Sequence, residues 1–405
     1  MTSGPTPPGT ASEVIDLDRI RAETPGCASV THLNNAGSSL PPKPVLDAVI
    51  DYLTTEAEIG GYEIADARAD DLAAVYDAVT ALVGGSPRSW AFVESATRAW
   101  NAAFSSLRFR PGDRVLTTKA EYPSNMAGLL RAREIQGVDV VVVPDDEHGQ
   151  VDVDALTGLL DERTRLVSIT HVPTQGGLVN PAIRVGEVLR STPILYQLDA
   201  CQSVGQMRVD IDEIGCDILS FTGRKFLRGP RGTGMVFAND DALAVMSNPA
   251  GVDMQGASWD SPMHITPDAS AGRFEPYEVF YAGKVGLAEA LRYTSAVGID
   301  NIEARNASLA ARLRAGLAAL TGVTVRDKGA ERCAIVTFTV DGHDPAAIKA
   351  HLRDLGINVS VTGRASATLD FPERDLDNVV RASVHYFNTE AEIDRVVQII
   401  GTLGT

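Results

Sequence analysis

One pattern constrains this chain more than any other. Short apolar runs of β-forming residues recur at Trp90–Val93, Val115–Thr117, Val138–Val143, Leu166–Thr170, Ile194–Leu198, Asp217–Ser220 and Met235–Ala238. Between the first five lie helix-compatible segments: Arg98–Leu107, Met126–Gln136, Val153–Leu160 and Val185–Arg190. Neighbouring strands that run the same way need a long crossover, usually a helix, so this rhythm predicts a mostly parallel sheet of seven strands covered on both faces. The last two runs are joined by a Gly-rich loop too short for a crossover helix, which makes one of them antiparallel. The large domain reads as α/β.

From about Asn301 the pattern changes. A long amphipathic helix, Ile302–Leu320, is followed by strand-like Ala334–Val340, a helix at Pro345–Leu355, strand-like Asn358–Val361 and Val380–Val384, and a last helix from Thr389. This reads as a compact, smaller α+β unit. Upstream, His32–Gly37 looks like a short strand entering a turn, and Pro44–Glu58 carries helical periodicity. A chain of 405 residues exceeds the roughly 250 to 300 at which single cores stop growing. The expected division is a flexible arm over residues 1–30, a large domain over 31–290 and a small domain over 291–405, with segment 31–60 able to pack against the latter.

A formal charge of −17 argues against nucleic-acid and membrane-surface partners, which demand clustered Lys and Arg. No apolar run approaches the roughly 18 to 20 residues of a membrane span, and Met1–Ser12 lacks a basic-then-apolar leader pattern, so the expectation is a cytoplasmic protein. Cys27, Cys201, Cys216 and Cys333 show no CxxC spacing; they suggest neither a zinc site nor a disulfide framework, and each reads as core material. No metal is expected.

Ligands of open α/β sheets bind beyond the C-terminal ends of the parallel strands, and the polar residues there converge. Glu94-Ser-Ala-Thr97 follows the first run and opens a helix, where free N–H groups and a hydroxyl suit a phosphate; simple N-capping is the plainer alternative. Asp199 ends the fifth run. A carboxylate there can hold a pyridinium nitrogen protonated so that the ring withdraws electrons. Lys225 stands in Phe221-Thr-Gly-Arg-Lys-Phe-Leu-Arg-Gly-Pro-Arg-Gly-Thr-Gly234, where glycines allow backbone close to a ligand. It can form an imine if desolvation and the cations Arg224 and Arg228 lower its pKa, and the plainer reading is an exposed loop lysine. The Gly229–Gly234 run precedes a strand, the reverse of a dinucleotide fingerprint, and P-loop, HExxH and GxSxG motifs are missing.

Taken in order, these residues resemble the class V pyridoxal-5′-phosphate enzymes of fold type I: the cysteine desulfurase, isopenicillin-epimerase-like and ergothioneine-type C–S lyase group. The resemblance runs from about Thr31 to Leu403 and is carried by Leu198-Asp-Ala-Cys-Gln-Ser-Val-Gly205, the Lys225 segment, Arg273-Phe-Glu275 and Arg381-Ala-Ser-Val-His-Tyr-Phe-Asn388. It implies that Lys225 holds the cofactor and shuttles protons. Asp199 would pair with the ring nitrogen, Gln202 and Thr174 would contact the ring hydroxyl, and Tyr122 would stack on the ring. Ala96, Thr97, Thr222 and Arg224 would bind phosphate, with Arg224 where many relatives carry His. Arg381 would hold the substrate α-carboxylate, with Asn35 and Ala36 assisting. The resemblance also implies a homodimer.

Two departures shape the expected reaction. Desulfurases of this group carry a persulfide-forming Cys shortly before the carboxylate-binding arginine, whereas the stretch from Val361 to Arg381 has none. After Arg273-Phe-Glu275 comes Pro276-Tyr-Glu278 in place of the usual Gly-Thr contact to the partner's phosphate. The expectation is therefore not a persulfide-forming desulfurase but a C–S lyase cleaving an S-substituted cysteine or its sulfoxide by β-elimination, in a secondary-metabolic role. Transamination, epimerisation and decarboxylation are the alternatives, and a cofactor-fold regulator or scaffold is the non-enzymatic one.

Overall fold

The structure is a computed structural model and describes residues 15–403. Its centre is a seven-stranded sheet of β1 (Trp90–Val93), β2 (Arg114–Thr118), β3 (Asp139–Val143), β4 (Thr164–Thr170), β5 (Leu195–Asp199), β6 (Ile218–Thr222) and β7 (Gly234–Ala238), in the order β1-β7-β6-β5-β4-β2-β3. Only β7 runs against the others, pairing antiparallel with both β1 and β6, as the short Gly-rich connection requires. Successive strand residues serve opposite faces. Leu166 and Ile218 join one core cluster while Val167 and Leu219 join another, so apolar residues fill both sides of the sheet.

Among the helices that the sequence reading left unassigned, the longest are Gly61–Ala67, Ala69–Val83 and Tyr281–Val297. The last buries residues around most of its circumference, from Ala282 through Leu287 and Leu291 to Val297. It therefore lacks the polar stripe by which an amphipathic helix is read.

The smaller unit is a four-stranded antiparallel sheet, Val323–Val325, Ile335–Val340, Asn378–Ser383 and Ser360–Gly363 in that spatial order, backed by helices Ile299–Ala318, Pro345–Asp354 and Glu390–Gly401. The N-terminal segment joins it: Thr31 and His32 pair parallel with Ile357 and Asn358, and Asn34 bridges to Ser383.

Of the arm expected over residues 1–30, residues 1–14 lie outside the described residues. Residues 15–30 differ from the expectation, because they are folded. Helix Leu17–Ala22 is capped by Asp16 and seats Ile20 against Tyr293, Ile302 and Phe387. The physical reason is Arg228. Fully buried, with φ +63, it donates to Leu40 O (2.8 Å), the Tyr386 hydroxyl (2.6 Å) and Thr24 Oγ1 (2.5 Å), and lies over the Phe387 ring. A buried guanidinium needs its donors satisfied, and the arm supplies one of the acceptors, Thr24. Arg228 is thus an anchor, not the cation expected to act on Lys225.

Candidate active site

The C-terminal ends of β1, β4, β5 and β6 open on one cleft of about 530 Å³, within the size range of cofactor sites. Its walls are Ser95, Ala96, Thr97, Tyr122, Asn125, Thr170, Val172, Thr174, Asp199, Cys201, Gln202, Thr222, Arg224 and Lys225. Nine of the fourteen residues belong to the segments 94–97, 198–205 and 221–234 singled out from the sequence.

At one end of the cleft, Ser95 caps helix Ala96–Ser106 by accepting from Arg98 N, leaving the first N–H groups without intrahelical acceptors. Gly234 of β7 packs against this turn so closely that a Cβ would lie 2.6 Å from the Ser95 carbonyl carbon and 2.9 Å from Ala96 N. Thr222 Oγ1 donates to Thr233 O (2.9 Å), and Arg224 donates to Gly37 O. In the middle sits Lys225, buried at the start of the β6–β7 connection. Gly205, at φ +92, lets the chain after Gln202 approach the Lys225 loop, since a Cβ there would stand 2.5 Å from Leu227 N.

At the floor, Asp199 Oδ1 accepts from Cys201 N (2.8 Å) and Oδ2 from Asn125 Nδ2 (2.7 Å). Burial holds its carboxyl above the ordinary range, opposed by the Asn125 and Cys201 hydrogen bonds and by the Lys225 charge. Gln202 Nε2 donates to Ala36 O and Thr174 Oγ1 (both 3.1 Å), while its buried Oε1 has no partner. Arg381 stands behind Thr174, donating through one nitrogen to Thr174 O (3.0 Å) and Oγ1 (2.6 Å), and its buried Nε is likewise unpartnered. Burial, then the Arg224 charge, pushes Arg381 down to about 10. Buried polar atoms without partners are costly, so these two mark where a ligand's complementary groups belong.

Asn35 and Ala36 are not on the cleft wall. Asn35 is fully buried and its amide is spent on the fold: it donates to Ser383 O (2.8 Å) and His32 O (3.3 Å) and accepts from the Ser39 hydroxyl (2.6 Å). Ala36 N donates to Ser383 Oγ (2.9 Å). In the structure both residues tether the N-terminal segment to the small sheet, and the Ala36 carbonyl also meets the cleft residue Gln202. Sequence reasoning in turn passed over Asn125 and Glu121. The signal was present, because Glu121 and Asn125 are four residues apart at a strand-to-helix turn facing Asp199. Arg273 and Glu275 also turn out to be structural: Arg273 donates to Asp268 O and Leu243 O, and Glu275 accepts from Phe92 N (2.7 Å) and the Tyr76 hydroxyl.

A strand-end carboxylate, a buried lysine one strand away and a helix N-terminus facing both define a fold type I pyridoxal-phosphate enzyme. The family model described as Aminotransferase class-V matches residues 31–396, and the chain belongs to that family. The cofactor is pyridoxal 5′-phosphate, and the unpartnered Gln202 and Arg381 atoms beside Asp199 and Lys225 fit it and an amino-acid carboxylate. A probable cysteine desulfurase of Methanothermobacter thermautotrophicus is 29% identical over 92% of this chain and 94% of its own length. The apo structure of a cysteine desulfurase from Thermococcus onnurineus superposes with TM-score 0.90 at 23% identity, covering 97% and 99% of the two chains. A C-DES mutant with glycine covalently linked to its pyridoxal-phosphate cofactor superposes at 0.84, also 23% identical, over 94% and 98%.

These relatives overturn two expectations. The β-elimination of S-substituted cysteines was favoured, and persulfide-forming desulfuration was excluded, whereas full-length relatives are named cysteine desulfurases. The exclusion judged one loop by its lack of a cysteine. The fold instead brings a thiol, Cys201, to the cleft wall beside Lys225, two residues past a strand end, where the sequence reading took it for core.

Proposed function

We propose that this protein removes the sulfur atom of cysteine, as the names of its relatives suggest. The observation that carries the reading is a juxtaposition on one cleft wall: Lys225, Asp199 and the Cys201 thiol, with Arg381 behind. When bound, the cofactor draws electrons from the bonds at the amino acid's Cα. In this reading Lys225 holds it covalently and Asp199 keeps a proton on the ring nitrogen. The helix N–H groups at Ala96 and Thr97, with Thr222 and Arg224, take the phosphate. Thr174 and Gln202 meet the ring hydroxyl, and Tyr122 covers a ring face.

Arg381 binds the α-carboxylate in a charge-assisted fork, which turns Cα toward Lys225. Lys225 Nζ then takes the Cα proton. Burial pushes the Cys201 thiol up, and the Lys225 charge and hydrogen bond pull it back. The Cys201 sulfur attacks the substrate sulfur, an S–S bond forms, the Cβ–S bond breaks with its electron pair returning to Cβ together with the thiol's proton, and Lys225 gives its own proton back to Cα. Cysteine and a thiol thereby become alanine and a persulfide, with no outside oxidant.

The test is to give the cofactor-loaded protein L-cysteine. Alanine should accumulate and the Cys201 peptide should gain the mass of one sulfur, both lost in Cys201→Ala. Pyruvate and ammonia in place of alanine, or a persulfide absent from Cys201, contradicts the reading. We also propose a homodimer, because the hairpin Ala257–Ser261/His264–Pro267 leaves Trp259 77% and Met263 96% exposed and such a ribbon calls for cover. Sedimentation should give twice the 43.0 kDa chain mass, and Trp259→Lys should weaken the association; a monomer at micromolar concentration argues against it.

A further inference from the structure

Behind Asp199 lies a second carboxylate that the chemistry above does not use. Glu121 is buried between β2, β4 and helix Pro123–Gln136 and is saturated with donors. Its Oε1 accepts from Thr170 Oγ1 (2.5 Å), Tyr122 N (2.7 Å) and Asn125 Nδ2 (2.9 Å), and its Oε2 from Thr117 Oγ1 (3.0 Å). The same Asn125 nitrogen donates its other hydrogen to Asp199 Oδ2 at 2.7 Å. One amide therefore joins the two buried carboxylates, and its orientation is fixed because the amide oxygen turned toward them would be repelled by both.

We propose that Glu121 is a positioning residue for Asp199, whose protonation state sets how firmly Asp199 holds the proton shared with the cofactor's ring nitrogen. Two carboxylates this close in a low-dielectric site interact strongly, so they share a proton more readily than both ionise. The geometry supplies a seat for that proton. Three donors already occupy Oε1, while Oε2 faces one hydroxyl, and the Thr117 hydroxyl can rotate to accept instead of donate. With the proton on Oε2, one negative charge faces the ring and Asp199 stays ionised. Without it, the second charge raises the proton affinity of Asp199, and Asn125 is drawn toward Glu121.

The charges around the pair are few. Asp199 faces Glu121 from β5, and Lys225 acts on Asp199 from the β6–β7 connection. Lys119, two residues earlier on the same turn, is committed to Asp145 and Glu373. Burial first, then the Asp199 charge, raises Glu121 to about 7 against the pull of its hydrogen bonds, which puts the exchange near neutral pH. The inference rests on the cofactor of the family, not on which reaction follows, and it stands or falls separately from alanine formation.

The probe is pyridoxal phosphate carrying ¹⁵N at the ring nitrogen, loaded into the full-length protein and followed by NMR through roughly pH 6 to 8. In the wild type the ring-nitrogen signal should move through that window. In Glu121→Gln, which keeps the shape and the Oε1 acceptor, the movement should vanish while the signal remains. Asn125→Ala, which cuts the bridge, should shrink it. Identical pH profiles in wild type and Glu121→Gln overturn the proposal. Should Glu121→Gln fail to fold, infrared difference spectra of the wild type decide it: a protonated-carboxyl band must grow as pH falls through the same window, and its absence also overturns the proposal.

Discussion

Arg381→Met separates a ligand-binding arginine from a structural one. The guanidinium is 7% exposed, and no carboxylate lies within ion-pair distance among the described residues. Burial and the Arg224 charge lower it from 12.5 to about 10. At pH 7, below both values, the whole penalty is in force. At about 1.36 kcal/mol per pKa unit, keeping the charge in the fold without a counterion costs roughly 3 kcal/mol. Methionine removes that cost and keeps much of the stem, but forfeits the hydrogen bonds to Thr174 O and Oγ1, worth about 1 to 1.5 kcal/mol each. The two sides nearly cancel. Urea unfolding of the cofactor-free variant should therefore fall within about 1 to 2 kcal/mol of wild type, where breaking a paired buried arginine typically costs about 3 to 5. Turnover should fare otherwise. A fork to a buried carboxylate is worth about 2 to 5 kcal/mol, so kcat/KM for cysteine should drop at least about 30-fold. A variant destabilised by more than about 3 kcal/mol with kcat/KM unchanged would falsify the assignment and make Arg381 a structural residue.

Three further outcomes follow from the same geometry. Lys225→Ala should abolish the visible absorbance of the covalently held cofactor while leaving far-ultraviolet dichroism intact; a retained band would mean another amine holds it. Gly234→Ala should weaken cofactor binding about 5- to 150-fold, because its Cβ overlaps the Ser95–Ala96 turn and such overpacking costs about 1 to 3 kcal/mol; an unchanged Kd by fluorescence titration would show that the helix N-terminus is not the phosphate seat. His171 is lowered to about 4 by burial, below its unfolded value near 6.5. The unfolded chain thus binds the extra proton first, and stability is lost as pH falls from there. His171→Gln should lack a loss of about 2 kcal/mol between pH 7 and pH 5 that the wild type shows, measured as the difference between the two unfolding curves so that Glu121, which titrates with the opposite sign, cancels.

Local sequence determined more of this protein than its family motifs alone would suggest. Strand identities followed from β-forming runs, and the direction of β7 followed from chain length, since the eleven Gly-rich residues from Gly223 to Thr233 cannot carry a chain back along a strand as a helix. The positions of Asp199, Lys225 and Thr97 followed as well, because a parallel sheet delivers its strand ends to one edge. What the sequence did not determine was how residues far apart use their polar atoms. Asn35 and Arg228 carry the chemistry of binding residues and are spent on the fold, and only contacts with Ser383 and with Thr24 and Tyr386 reveal that. Cys201 reads as core material and lies on the cleft wall, and Glu121, which the sequence did not single out, lies behind Asp199 and reaches it through Asn125. The physical reason is the same in each case. Periodicity reports which side of an element is buried, but whether a buried polar group meets backbone, another carboxylate or an open cleft depends on other elements distant along the chain, and tertiary packing alone decides it.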